Sequence, residues 1–349
     1  MRQKKRIHPL VVAVVLLLIL AIVLCSVAVG IWMQGRKTFE NAEKEPELPI
    51  SEQTPEEESE EKPSFVEYGG KRYQYNRNMV NLLLLGIDSS ENPDVAQGNM
   101  DQADVLVLAA LNLKDNTMTL ISLSRDIMCD VAFADVNEEQ ENLKEMQLAL
   151  AYAYGDGQHG SCEATRDAVS NIFYGLPIHG YAAYYMNGIE ELNDAVGGVT
   201  VKIIEDVPFH EVKGCWNMID GHEVTLTGEQ AKLYIRYRLE DQVDANSLRM
   251  QRQKQYMLAL VSKAKQAVLE NPASILTMYQ AVDDYVLTDL GIGEISYLAT
   301  KAAGMNFAGD ILNLEGELVL NELNQAEMYL NQESLYDLMF SVFYTEVVE

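Results

Sequence analysis

From Leu10 to Trp32 the chain runs without a charged residue, and this stretch restricts the architecture more than any other. As a helix at ~1.5 Å per residue it spans roughly 35 Å, enough to cross a bilayer with some tilt. The segment before it holds Arg2, Lys4, Lys5 and Arg6, which the positive-inside rule keeps in the cytoplasm while the rest is exported. A cleaved signal peptide has a shorter apolar core; Ser26–Gly30 is small enough for cleavage, but the run is long for one. Bulky Ile22, Val23 and Leu24 before Cys25 argue against a lipoprotein site. The expected organisation is a cytoplasmic basic tail (1–9), a transmembrane helix (10–32), an acidic disordered tether (33–74) and an extracellular domain (75–345). Such a protein sits in the cell membrane with a single pass.

The formal net charge is -27, and general nucleic-acid binding, which needs a basic face, is excluded as the expected role. Glu40–Ser64 is rich in Glu, Pro, Ser and Lys and too poor in apolar residues to fold alone. About 280 residues follow it, enough for one large domain with a sizeable core. Of the four cysteines, Cys25 lies in the apolar run. An exported location permits one disulfide among Cys129, Cys162 and Cys215. The five histidines are scattered without ligand spacing, so a zinc site is not expected.

Met79–Ile87 (MVNLLLLGI) has the pattern of a buried strand and ends at Asp88. Asp104 precedes a second apolar run, Val105–Leu111 (VLVLAAL). The turn residues Lys114, Asp115 and Asn116 lead into a third, Thr117–Ser122, followed by Arg125 and Asp126. So short a turn makes the second and third strands an antiparallel hairpin, which brings Arg125 close to Asp104. Asp88 joins them if the first strand reaches the same edge. Each Asp read alone is a turn or cap residue; together with an arginine they suit a divalent metal bound to phosphate.

A second cationic group lies in Arg236–Gln253, where four arginines stand in a strongly acidic chain. Arg236 and Arg238 are two apart and would share one face of an extended segment. Arg249, Arg252 and Gln253 have the i, i+3, i+4 spacing of a helix face, with Asn246 or Ser247 as the N-cap. A solvated or salt-bridged surface is the plain reading. The alternative is an anion site, with phosphate suited to the planar guanidinium fork. Around these groups, helices are expected over Leu148–Tyr154, Thr165–Phe173, Gly188–Val196 and Arg249 to about Leu269. A strand is expected over Val199–Ile204, and Thr227–Gln230 fits a capping box opening a further helix. The class is α/β or α+β, a central mixed sheet flanked by helices.

Seven segments, NLLLLGIDSS (81–90), QADVLVLAALN (102–112), SLSRD (122–126), AYAYGDG (151–157), LNDAVGGVTVKI (192–203), LTGEQAKLYIRYR (226–238) and NSLRMQRQKQ (246–255), occur in this order. In that order the chain resembles the LytR-CpsA-Psr family from about Tyr75 to Tyr344. The resemblance implies an apolar pocket for a polyprenyl chain. It also implies an enzyme that moves a glycopolymer (teichoic acid, capsule or another glycan) from polyprenyl pyrophosphate to peptidoglycan, releasing polyprenyl phosphate. By the same motifs, Asp88 and Asp104 would bind magnesium or manganese. Arg125, Arg236, Arg238, Arg249 and Gln253 would clamp the pyrophosphate, with Arg252 in the same motif; of these, Arg125, Arg236, Arg238 and Arg249 would act in catalysis.

Some positions depart from the family pattern. Gln102 stands where Arg is usual, Asn246 where Asp is usual and Ser124 where Pro is usual, and Met146–Leu150 replaces a lysine-containing stretch. Two other functions therefore stand beside the transferase. One is a non-catalytic or attenuated lipid-pyrophosphate-binding protein regulating envelope assembly, and the other is pyrophosphate hydrolysis at the same site.

Overall fold

The computed structural model describes residues 30, 32–39, 45–49, 65–87, 101–134, 141–207, 218–237 and 245–347. In chain order, a helix over residues 32–39 (α1) precedes strands β1 (Val66–Tyr68), β2 (Lys71–Tyr75), β3 (Met79–Ile87), β4 (Ala103–Asn112), β5 (Thr117–Leu123), β6 (Met128–Ala134) and β7 (Glu141–Gln147). Helices α2 (Ala149–Ala153) and α3 (His159–Ile172) follow, then β8 (Gly180–Tyr185), α4 (Ile189–Ala195), β9 (Val199–Lys202), β10 (Glu223–Leu226), α5 (Gly228–Arg236), α6 (Ala245–Glu270) and α7 (Ser274–Val282). The chain continues through β11 (Val286–Thr288), α8 (Ile292–Gly304), β12 (Asn306–Asn313), β13 (Gly316–Leu320), β14 (Ala326–Leu330), α9 (Gln332–Phe343) and β15 (Tyr344–Glu346).

Six strands form the central sheet in the order β11-β8-β3-β4-β5-β12. The β3–β4 and β4–β5 pairs are antiparallel, whereas β3–β8 and β5–β12 are parallel. The sheet is therefore mixed, as the apolar runs predict. Alternation along β4 serves two different faces. Leu106, Leu108 and Ala110 pack with Leu83, Leu85 and Ile121 against Tyr152 of α2, Val169 of α3 and Met339 of α9. Val107, Ala109 and Leu111 face Leu298 of α8, with Met257 and Leu258 of α6 beside them. A smaller core joins α4, β9, β10, α5 and α6. Its central polar residue is the buried Asn193, which donates to the Leu226 carbonyl (2.8 Å) and accepts from the Val199 N–H and the Tyr256 hydroxyl (3.2 Å each). That bond to Tyr256 ties α6 to α4.

Both ends of the segment expected as tether, 33–74, hold ordered elements, while most of the composition-biased stretch Glu40–Ser64 lies outside the described residues. Residues 32–39 are helical because aromatic residues mark the ends of that helix: Trp32 meets the Tyr297 ring edge-on and Phe39 stacks on it, with centroids 5.3 and 6.2 Å apart. Near its other end, β1 pairs with β2, and β2 with β15. Among the described residues no helix is long and apolar enough to cross a membrane; most of the Leu10–Trp32 run lies outside them. Cys129 and Cys162 are free thiols rather than disulfide partners, and burial pushes each up to about 12. Cys215 lies outside the described residues.

Candidate functional site

The β4–β5 hairpin brings Asp104 and Arg125 together, as the turn spacing predicts: the Arg125 guanidinium donates to Asp104 Oδ1. A bulge gives Asp104 its direction. Gly86 pairs with Val105 but Ile87 pairs with Ala103, so β4 carries one extra residue here. Such a bulge re-aims a side chain at a sheet edge. Ala103 remains in the core beneath the sheet, while Asp104 and Val105 both line a cavity on the opposite face.

The turn after β5 is held from three sides. Ser124 Oγ accepts from the Asp126 N–H at 3.3 Å. The Arg125 carbonyl accepts from the Ala149 N–H (3.0 Å) and the Asp126 carbonyl accepts from the Met328 N–H (2.8 Å). The backbone of Arg125 is thus fixed while its side chain stays half-exposed. Its Nε lies 3.6 Å from Asp126 Oδ1. Asp126, Ser124 and Gln102 also line the cavity, and none was named as a site residue from sequence. Asp126 had a usable signal, because it follows Arg125 directly in the SLSRD segment.

Arg236, Arg249 and Gln253 line the same cavity from α5 and α6. Thr227 starts α5 with the expected capping box: its N–H donates to Gln230 Oε1 (3.0 Å) and its side chain accepts from the Gln230 N–H (3.4 Å). Arg236 falls in the last turn of α5, where a cation is favoured by the helix dipole, rather than in an extended segment. The start of α6 also differs from expectation. Asn246 and Ser247 already lie within α6 rather than capping it, and Arg249 follows them inside the helix.

Arg252 departs from the phosphate contact expected of it. Its side chain is 1% exposed and is absent from the cavity wall. The guanidinium pairs with Glu205, and it donates through Nε to the Tyr234 carbonyl (2.8 Å) and through a terminal nitrogen to the Tyr237 carbonyl. It also lies over the Tyr234 and Tyr237 rings at 5.8 and 5.4 Å. Burial lowers its pKa to about 10, which leaves it charged at neutral pH. Arg252 is therefore a brace between α6 and the end of α5, and Gln253 adds a weaker bond to the Ile235 carbonyl at 3.3 Å. Asp88 and Arg238 lie outside the described residues.

The cavity holds about 2060 Å³. Away from its polar end it runs between the sheet (Leu82, Val107, Leu120) and the helices (Met257, Val261, Leu298). An apolar tunnel with arginines and a carboxylate at one end can take a hydrocarbon chain with an anionic head. No group of three or more His, Cys, Asp or Glu side chains suited to a metal ion occurs among the described residues. Asp104 beside a cationic wall nevertheless fits magnesium, which is commonly held by one or two carboxylates together with substrate phosphates and water.

The LytR_cpsA_psr family profile matches residues 38–340. A relative from Enterococcus faecalis, named polyisoprenyl-teichoic acid–peptidoglycan teichoic acid transferase TagU, is 31% identical over 230 residues, 64% of this chain and 66% of that protein. The chain thus spans just under two thirds of that relative's length. Protein gbs0355 of Streptococcus agalactiae superposes with a TM-score of 0.60 at 22% identity, covering 76% of this chain and 86% of that one. TagV of B. subtilis gives 0.56 at 21% identity, covering 76% and 96%. These two likenesses establish a shared fold. With the profile covering most of the sequence, the chain belongs to the LytR-CpsA-Psr family.

Proposed function

We propose that this protein transfers a glycopolymer from a polyprenyl-pyrophosphate carrier to peptidoglycan. One observation carries the reading: a largely apolar cavity has Asp104, Arg125, Arg236 and Arg249 in its wall. The tunnel accepts the hydrocarbon of the donor, and the arginines receive its two phosphates. The name of the E. faecalis relative supports a polyisoprenyl-linked teichoic acid as the donor class and peptidoglycan as the acceptor.

In the reaction, a sugar hydroxyl of the acceptor attacks the polymer-side phosphorus. The new P–O bond forms as the bond to the bridging oxygen breaks, polyprenyl phosphate leaves, and the hydroxyl proton passes to solvent. Negative charge grows on the bridging oxygen, and positioned guanidinium groups stabilise it without reorganising. Arg125 is the best placed, since the turn that carries it is held by hydrogen bonds to Ala149 and Met328 and its side chain lines the cavity. Asp104, with Asp88, would hold magnesium, which when bound neutralises phosphate charge. Release of the Arg125 pair by incoming phosphate would free Asp104 for that role.

The uncharged run at Leu10–Trp32 supports a single membrane anchor and an extracellular domain, where both substrates would be met. The test supplies polyprenyl-pyrophosphate glycan, peptidoglycan and magnesium to the purified full chain. Polymer attached to peptidoglycan is expected, dependent on magnesium and abolished by a chelator. A folded, lipid-loaded protein that attaches none would overturn the transferase reading. Phosphate release without acceptor would point to hydrolysis instead.

A further inference from the structure

Among the polar residues in the tunnel wall, Lys265 on α6 lies toward the end opposite the arginines. Its ammonium donates to the Met305 carbonyl at 2.7 Å, where α8 ends. Arg249 and Lys265 lie on the same helix 16 positions apart, a rise of ~24 Å at about 1.5 Å per residue. The facing strand gives the same length. Asp104 and Leu111 both line the tunnel, seven positions apart on β4, ~24 Å at about 3.4 Å per residue. Leu111, Met118, Val268 and Asn306 line the same cavity. The largely apolar wall between the levels of Arg249 and Lys265 also carries Lys254, and the hydrogen-bonded ammonium of Lys265 stands toward its far end.

We infer that Lys265 is a length stop, setting how much of an isoprenoid chain the tunnel buries. The inference rests on the lipid-binding reading of the same cavity. Each apolar carbon drawn out of water adds affinity in proportion to its buried area. That gain ends where the chain reaches Lys265, because passing it requires breaking the bond to Met305 and leaving a buried carbonyl unmet. A plainer role is capping the last carbonyls of α8, which basic residues favour. The two roles differ in one respect: a cap has no dependence on ligand length.

The experiment measures affinity of the full chain in detergent for polyprenyl phosphates of graded length, from farnesyl to undecaprenyl phosphate. Wild type should gain affinity with length and then level off. Lys265→Met, which keeps the length of the side chain but loses its charge, should move that plateau to longer chains. It should tighten undecaprenyl phosphate at least about tenfold, roughly 1.4 kcal/mol, and leave farnesyl phosphate unchanged. Lys265→Arg, which preserves a donor, should keep the wild-type plateau. The same plateau in Lys265→Met, or an equal change at every length with a lowered melting temperature, would reduce Lys265 to a helix cap. Failure of any polyprenyl phosphate to bind wild type would instead overturn the lipid reading itself.

Discussion

Arg125 donates to Asp104 across the edge of the central sheet, and strand register explains the meeting. Leu106 faces Leu123 and Asn112 faces Thr117, so the same register carried two residues further sets position 104 opposite position 125. The pair is 32–45% exposed at its side chains and adds little to stability, since such ion pairs contribute about 0–1 kcal/mol. Its importance is positional: it holds a cation and an anion at the mouth of an apolar tunnel.

Arg125→Ala should therefore damage function far more than folding. Loss of one preorganised cationic donor should cut transfer on the order of 100-fold or more. Melting temperature should change by less than ~3 °C. Transfer assays and thermal melts on the same preparation check this, and a large drop in melting temperature would contradict it.

Arg252 should behave in the opposite way. Arg252→Ala leaves Glu205, 15% exposed at its side chain, beside an empty space. Removing one partner of a buried pair costs about 3–5 kcal/mol. Urea unfolding should show the loss, while the folded fraction keeps its affinity for polyprenyl phosphate because Arg252 does not reach the tunnel. Arg252→Lys should recover only part of the stability, since lysine lacks the fork that reaches two carbonyls at once.

His179 predicts sensitivity to acid. Burial holds its pKa below the ordinary 6.5. Its Nδ1 accepts from the Asn81 N–H at 3.0 Å, and its ring meets Phe39 edge-on. Below pH 6.5 the unfolded chain takes up a proton that the folded chain refuses, so stability falls as pH drops through that window. Urea midpoints between pH 7.5 and 5 should decline in wild type, with a shallower slope in His179→Gln. Equal slopes would remove His179 as a cause.

Ala109 offers a test of the tunnel that leaves its charges alone. It is buried on β4 and lines the cavity, so Ala109→Phe projects a ring into open space. Filling space avoids most of the ~1–3 kcal/mol cost of overpacking a tight core, and thermal stability should hold. Affinity for long polyprenyl phosphates should fall at least about tenfold, roughly 1.4 kcal/mol. Unchanged affinity in a titration would mean that the hydrocarbon lies elsewhere.

Much of the sheet was legible in the sequence because its central strands are apolar on both faces. Met79–Ile87 has the predicted limits, and the turn after Leu111 dictated the hairpin. Thr227 capped its helix as its spacing required. Strands β6 and β7 gave no such signal: ENLKEMQ is mostly polar and pairs only within its own hairpin. Arg252 differs from the expectation for a geometric reason. At about 100° per residue it lies roughly 60° to one side of Arg249, while Gln253 lies roughly 40° to the other. Spacing places all three near one helix face, but it does not say where the neighbouring α5 sits.

The sequence by itself determined the chain's family, the strand pairing that joins Asp104 to Arg125, and the presence of an unusual arginine group. Each depends on local pattern or on the order of motifs. The tertiary structure decided which of those arginines face the cavity and which one braces the fold. It also decided that the face of the sheet toward α6 and α8 borders a cavity as well as a core. Leucines and valines lining a core and a cavity are alike in composition, and only the distance to the opposing helices separates them.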